Sequence, residues 1–255
     1  MIDILWPVFL LSVVLLGIHS YFGLEIIGRG IIFTDLAIGQ MAALGAAVSL
    51  FLFHGEYEYL TSLTFALIGA MLIAIATKRV KHLEAFIGLL YAFGISFVFI
   101  MLSKSAHGME EFHQLMAADI LFTPPGEIYR VAAFYAVLGL ILYFLMKRLK
   151  GFSRELTFFI IFSVTVTSSV RLAGVLVIFA ILISPALIAK ALFSKRLVIW
   201  AWIIGTVINI VAIAISYNLD FPTGYTLVFM HSLAAALVVM IKKTKESPDQ
   251  PNRRR

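Results

Sequence analysis

Val170-Arg171-Leu172-Ala173-Gly174-Val175-Leu176-Val177-Ile178-Phe179-Ala180-Ile181-Leu182-Ile183-Ser184-Pro185-Ala186-Leu187-Ile188-Ala189-Lys190 is the stretch that decides the fold. No residue from Leu172 to Ala189 is charged. At about 1.5 Å per residue, such a run crosses a hydrocarbon core of about 30 Å as a helix. Yet the run contains Gly174, Ser184 and Pro185, and Pro185 removes a backbone donor that lipid cannot compensate. The segment is therefore expected inside a helix bundle, with neighbours that satisfy its polar groups.

The rest of the chain follows the same pattern. Hydrophobic residues make up 62% of it and charged residues 13%, against about 25% charged in soluble domains. The mean hydropathy is +1.01. The absence of cysteine excludes disulfides, thiolate metal sites and cysteine nucleophiles. Apolar runs fall at about 3–23, 30–53, 59–77, 84–103, 127–146, 156–170, 172–193, 198–217 and 222–241. The first lacks a basic flank and exceeds a secretory core, so it reads as a retained span. The expectation is an all-α polytopic bundle of about nine spans, a single transmembrane domain over 1–241 and a disordered basic tail over 242–255.

Nine spans with the N-terminus outside and the C-terminus cytoplasmic leave only Lys104, Arg130 and Arg171 of the 20 basic residues on the outer side. This is the distribution that the positive-inside rule requires. Merging the two runs around Arg171 would give one apolar segment about twice the bilayer thickness and would reverse the later clusters. The net charge of +6 is thus a matter of topology and of contact with the lipid bilayer, and does not indicate nucleic acid. The external segment from Ser103 to Glu127 carries His107 and His113, with Met109–Phe122 spaced as a surface amphipathic helix. The two histidines are a weak candidate for external metal capture, because helical ligands favour spacings of three or four.

No phosphate-binding G-x-x-x-x-G-K-[ST] loop, G-x-S-x-G elbow or H-E-x-x-H pair occurs. The chain is not expected to be an enzyme or to hold a cofactor, and any ATP and magnesium would sit on another subunit. Ionisable groups inside spans are costly and mark function. Asp35 is the principal candidate, with Gln40 further along the same span and His19 and His231 as weaker imidazoles suited to zinc or manganese. The alternative role for Thr34-Asp35 is helix capping or an interhelical bond. The small residues Gly39, Ala42, Ala43, Gly45 and Ala46 suit close packing or a pathway-lining helix.

Three motifs in order resemble the membrane permeases of bacterial ABC importers for zinc, manganese and iron. They are Val170–Val177 leading into Ile183-Ser184-Pro185-Ala186; Ser216-Tyr217-Asn218-Leu219-Asp220-Phe221-Pro222-Thr223-Gly224; and Glu84-Ala85-Phe86-Ile87-Gly88 with Tyr91-Ala92 and Ser103–Gly108. The resemblance implies a homodimeric permease of the inner (plasma) membrane, with cytosolic ATPase subunits and an external metal-binding lipoprotein. It also implies transport by alternating access, along a path involving Asp35 and Gln40, with Gly174, Ser184, Pro185 and Gly45 giving close helix geometry. In the family an Asp is followed four residues later by His, and the pair is thought to hold the metal; here Asp35 is followed by Gly39, and Gln40 takes the position one residue on. Family members also carry an Asp-Pro-Glu-type docking helix between the fifth and sixth spans, where this chain has only Lys147 to Glu155. Gly151-Phe152-Ser153, Lys78–Leu83 and Phe193–Arg196 are then left as docking candidates. An ion-coupled secondary carrier using Asp35, or a non-transporting scaffold, are the rival readings.

Overall fold

The computed structural model describes residues 2–104, 110, 113, 120 and 123–242. Among them nine helices are long and apolar enough to cross a membrane: α1 (Ile2–Arg29), α2 (Thr34–Phe53), α3 (Glu58–Arg79), α4 (Leu83–Leu102), α5 (Pro125–Arg148), α6 (Gly151–Ala173), α7 (Val175–Leu192), α8 (Leu197–Leu219) and α9 (Thr223–Ile241). The described residues contain no strand. The all-α, nine-span expectation therefore holds. His107, most of the proposed 109–122 surface helix and nearly all of the basic tail lie outside the described residues.

Two helices outrun their expected limits, and charge explains both. The first passes position 23 to end at Arg29, whose guanidinium reaches Glu25 one turn back at 3.2 Å and Glu155 at 2.5 Å. Glu155 lies in the first turns of α6, which begins at Gly151 instead of 156. Polar ends that pair with each other let both helices continue beyond their apolar runs. At the other end of α6, Arg171 pairs with Glu127 at 2.7 Å and lies over the Tyr59 ring at 5.7 Å. The two ion pairs thus mark opposite ends of the bundle, as alternating crossings require.

The boundary within the opening stretch falls at Gly174, three residues past Arg171. Gly174 alone separates α6 from α7, at φ 84° and ψ 160°. Only glycine adopts that conformation without strain. The charge at 171 marks the membrane surface, while the turn needs the residue without a Cβ.

The helix α7 sits in the middle, touching α1, α2, α6, α8 and α9. Its neighbours approach through glycine. A Cβ on Gly23 of α1 would run into the Leu182 carbonyl oxygen, and one on Gly205 of α8 would sit 3.0 Å from Pro185 Cγ. Close approach gained from small residues is the main source of helix association where lipid removes the hydrophobic driving force. On the other side α6 packs against α2, α3 and α5, and the Phe22 ring of α1 lies 4.9 Å from that of Phe162 of α6, tilted by 53°. The helices α4, α5, α8 and α9 lie outward and expose apolar side chains such as Leu89, Leu140 and Phe229, as a bilayer setting demands.

Candidate functional site: a buried carboxylate on α2

The helix α2 is built to be gripped. A Cβ on Gly45 would strike the backbone of Thr61 and Ser62 in α3, one on Gly69 of α3 would lie 2.9 Å from Met41 Cγ, and one on Gly94 of α4 would lie 2.8 Å from Gln40 Cβ. The small-residue face is therefore a packing surface against α3 and α4.

Asp35 sits in the first turn of this helix, only 1% exposed. Neither of its carboxylate oxygens has a hydrogen-bond partner among the described residues. It does not cap the helix. Thr34 Oγ1 donates to the Ile31 carbonyl at 2.7 Å, and the chain entering α2 is held from α4, where Glu84 Oε1 accepts the Phe33 N–H at 3.1 Å. Glu84, the first residue of one of the motifs quoted above, thus has a physical role that motif matching did not assign. It anchors the start of the helix that carries Asp35. Glu84→Ala should cost about 1 kcal/mol, the usual value of a lost cap, read as a lower unfolding temperature of the purified chain; Glu84→Gln keeps an acceptor and should restore most of it.

Asp35 and Gly39 are one turn apart and share a face. That face meets the break between α6 and α7: an added Cβ at 39 would lie 3.0 Å from Val175 Cγ1 and 3.7 Å from Val170 Cγ2. Gln40 is 0% exposed, but its Cβ lies against Gly94 of α4. Five residues beyond Asp35 at about 100° each puts it on a different side of the helix. The structure therefore does not bring Asp35 and Gln40 onto one face.

The two buried histidines lie elsewhere. His19 on α1 donates from Nδ1 to the Leu15 carbonyl at 2.7 Å and meets the Tyr135 ring edge-on at 6.2 Å. Tyr135 in turn shares hydrogen bonds with Ser169 at 2.6 Å and Ser168 at 3.1 Å on α6. His231 on α9 donates from Nε2 to Asn209 Oδ1 of α8 at 2.8 Å, and Ser184 Oγ of α7 donates to the His231 carbonyl at 2.6 Å. Ser184-Pro185 thus ties α7 to both α8 and α9. A buried Asn partner could not be anticipated from sequence, since Asn209 stands in an unremarkable apolar run. His113 Nδ1 lies 3.2 Å from the hydroxyl of Tyr225 in the first turn of α9. Among the described residues no group of three His, Asp or Glu side chains converges on a possible metal position.

At the surface bearing Arg29 and Glu155, only Leu149 and Lys150 separate α5 from α6. Lys78 at the end of α3 places its Nζ 4.2 Å over the Phe152 ring at the start of α6. Phe193 and Trp200 stack nearby in sequence, with centroids 4.0 Å apart and planes 5° from parallel. Lys78 and Phe152, two of the docking candidates, are thereby brought into one contact.

Among the described residues the spanning helices form a bundle centred on a proline-containing helix, with a carboxylate buried on the second, which is the form of a polytopic membrane protein. Residues 153–243 match the ABC 3 transport family. A probable iron transport system membrane protein of Haemophilus influenzae is 25% identical over 252 residues, covering 91% of this chain and 87% of that one. A probable metal transport system membrane protein of Chlamydia pneumoniae is 21% identical over 259 residues, covering 89% and 88%. The solved structure of PsaBC from Streptococcus pneumoniae in complex with Fab superposes with a TM-score of 0.72 at 18% identity, covering 92% of this chain and 90% of that one. The resemblance read from the motifs is borne out: residues 153–243 match the ABC 3 transport family, and two similar proteins are named as metal and iron transport system membrane proteins.

Proposed function

We propose that this chain is the transmembrane subunit of an ATP-driven importer that moves a divalent metal ion across the inner membrane by alternating access. The observation that carries the reading is Asp35: buried on a membrane helix, not used as a cap, and without a hydrogen-bond partner for either oxygen among the described residues. An ionised carboxylate buried there is costly unless a cation or water meets it. A passing cation is the ligand that makes the cost useful. The names of the H. influenzae and C. pneumoniae relatives, iron and metal transport system membrane proteins, favour a metal as that cation.

The basic ends of α3, α5 and α7 face the cytoplasm in this reading, with Arg29 and Glu155 on the same side. No span contains a nucleotide-binding loop, so ATP hydrolysis belongs to a partner subunit, with a second copy of this chain completing the permease. An external metal-binding lipoprotein would deliver the ion. With only two residues between α5 and α6, the ATPase docks on the Lys78–Phe152 contact and the turn at Phe193–Arg196. The test is co-purification of the full chain with its ATPase. Phe152→Ala should weaken the complex by about tenfold, of the order of one lost interfacial aromatic, while leaving the isolated permease folded. Undiminished co-purification of both Phe152→Ala and Lys78→Glu would move the docking surface elsewhere.

A further inference from the structure

By their packing the described spans fall into two sets. One is α1 with α7, α8 and α9; the other is the run α2 to α6 in chain order. Glycine fixes close approaches inside each set. In the first, Gly23 lies against the Leu182 backbone and Gly205 against Leu16 and Pro185; in the second, Gly45 lies against the backbone of Thr61 and Ser62, and Gly69 against Met41. Hydrogen bonds follow the same division. Ser184 and Asn209 bond to His231 in the first set, and Trp202 Nε1 of α8 donates to the Val13 carbonyl of α1 at 3.2 Å. In the second, Tyr135 of α5 bonds to Ser168 and Ser169 of α6, and Glu127 of α5 pairs with Arg171 of α6.

The boundary between the sets is packed differently. Between α1 and α6 the Phe22 ring lies 5.6 Å from that of Phe158 and 4.9 Å from that of Phe162. The Arg29 guanidinium sits 4.0 Å over the Phe158 ring while it pairs with Glu155. Helices held apart by long side chains can slide by small steps, which interlocked glycine contacts resist. The chain passes between the sets through residues 30–33 and through Gly174. Both crossings carry a glycine of positive φ, 69° at Gly30 and 84° at Gly174, and they lie at opposite ends of the bundle. A hinge absorbs its backbone change at a few element-terminal residues, where glycine moves at least cost.

We propose that a hinge lies inside this one chain: α2 to α6 turn as a unit against α1 and α7 to α9, pivoting on Gly30 and Gly174, and the Arg29–Glu155 pair beside the first pivot holds the resting angle. The face of α2 that carries Asp35 and Gly39 lies on this boundary, against Val175 of α7, so the turn covers or uncovers it. This rests on the transport reading above and names its moving parts. Glu155 is a positioning residue in it, acting through Arg29.

The chain has no cysteine, so spin labels can be placed in pairs without background. Leu89→Cys on α4 with Phe229→Cys on α9 spans the boundary. Leu89→Cys with Met71→Cys of α3, and Ile203→Cys of α8 with Phe229→Cys, each stay within one set, and all four positions are exposed. Distances are read by double electron–electron resonance in the full chain diluted with unlabelled chain, alone and with its ATPase, without nucleotide and with a non-hydrolysable ATP analogue. The cross-boundary distance should shift by about 2 Å or more with the analogue, the scale of helix shifts in switching proteins, while the within-set distances stay fixed. In the chain alone, Glu155→Gln should broaden the cross-boundary distribution. Glu127→Gln, which breaks an ion pair inside one set, should leave every distance as in the parent. Within-set distances that change as much as the cross-boundary one would overturn the proposal, as would a cross-boundary distance unmoved by both the analogue and Glu155→Gln. Broadening by Glu155→Gln without a response to the analogue would keep the hinge and remove the ATP-driven reading; ATP-driven uptake with a fixed cross-boundary distance would keep that reading and remove the hinge.

Discussion

Asp35→Asn should reduce metal uptake by about 100-fold and leave the protein at least as stable as before. The two halves of this expectation come from one observation. The carboxylate is 1% exposed and both oxygens lack a partner among the described residues, so the folded state loses nothing when the charge is removed. An ionised carboxylate buried without a partner is costly, and an amide of the same shape is cheaper. A cation held by that carboxylate loses its charged donor, and about 3 kcal/mol corresponds to about 100-fold in affinity. Uptake in cells expressing the chain with its ATPase, and thermal unfolding of the purified variant, read the two effects separately. A variant that loses both uptake and stability would make Asp35 a structural residue. Full uptake would remove it from the path.

The second large effect is expected at Gly174. Its φ of 84° and ψ of 160° belong to a region closed to residues with a Cβ, at a cost of about 1–3 kcal/mol. Gly174→Ala should therefore lower the unfolding temperature by about 5 °C, at the few degrees per kcal/mol typical of chains this size. Gly17→Ala and Gly139→Ala are the controls. Both are helical, with nothing within 4 Å of an added Cβ, and both should be neutral or slightly stabilising, since alanine orders more cheaply in a helix. If Gly174→Ala behaves like the controls, the break between α6 and α7 is not what holds Val170 and Val175 against α2.

What the amino acids disclose here depends on how local the physics is. The nine spanning helices among the described residues were legible because a span is a one-dimensional property: an apolar length bounded by charge. Arg171 could mark a membrane surface for the same reason, but not the turn, which depends on backbone conformation three residues later. Asp35 was legible because a carboxylate in an apolar run is costly wherever its helix packs. Its surroundings were not. Gln40 looked like a stand-in for a second ligand, and only the packing of α2 against Gly94 of α4 shows which way it faces. Likewise Glu84 holds Phe33 across 51 positions of sequence, and Asn209 meets His231 from a neighbouring span. Such partnerships arise from the assembly of helices, for which single-helix periodicity carries no information.

The energy source for transport separates the importer reading from its rivals most sharply. In vesicles reconstituted with this chain and its ATPase, manganese accumulation should require ATP and magnesium on the ATPase side, be unaffected by collapsing proton and sodium gradients, and disappear with Asp35→Asn. Accumulation that persists without the ATPase and follows an imposed proton or sodium gradient would contradict the account and make the chain an ion-coupled carrier.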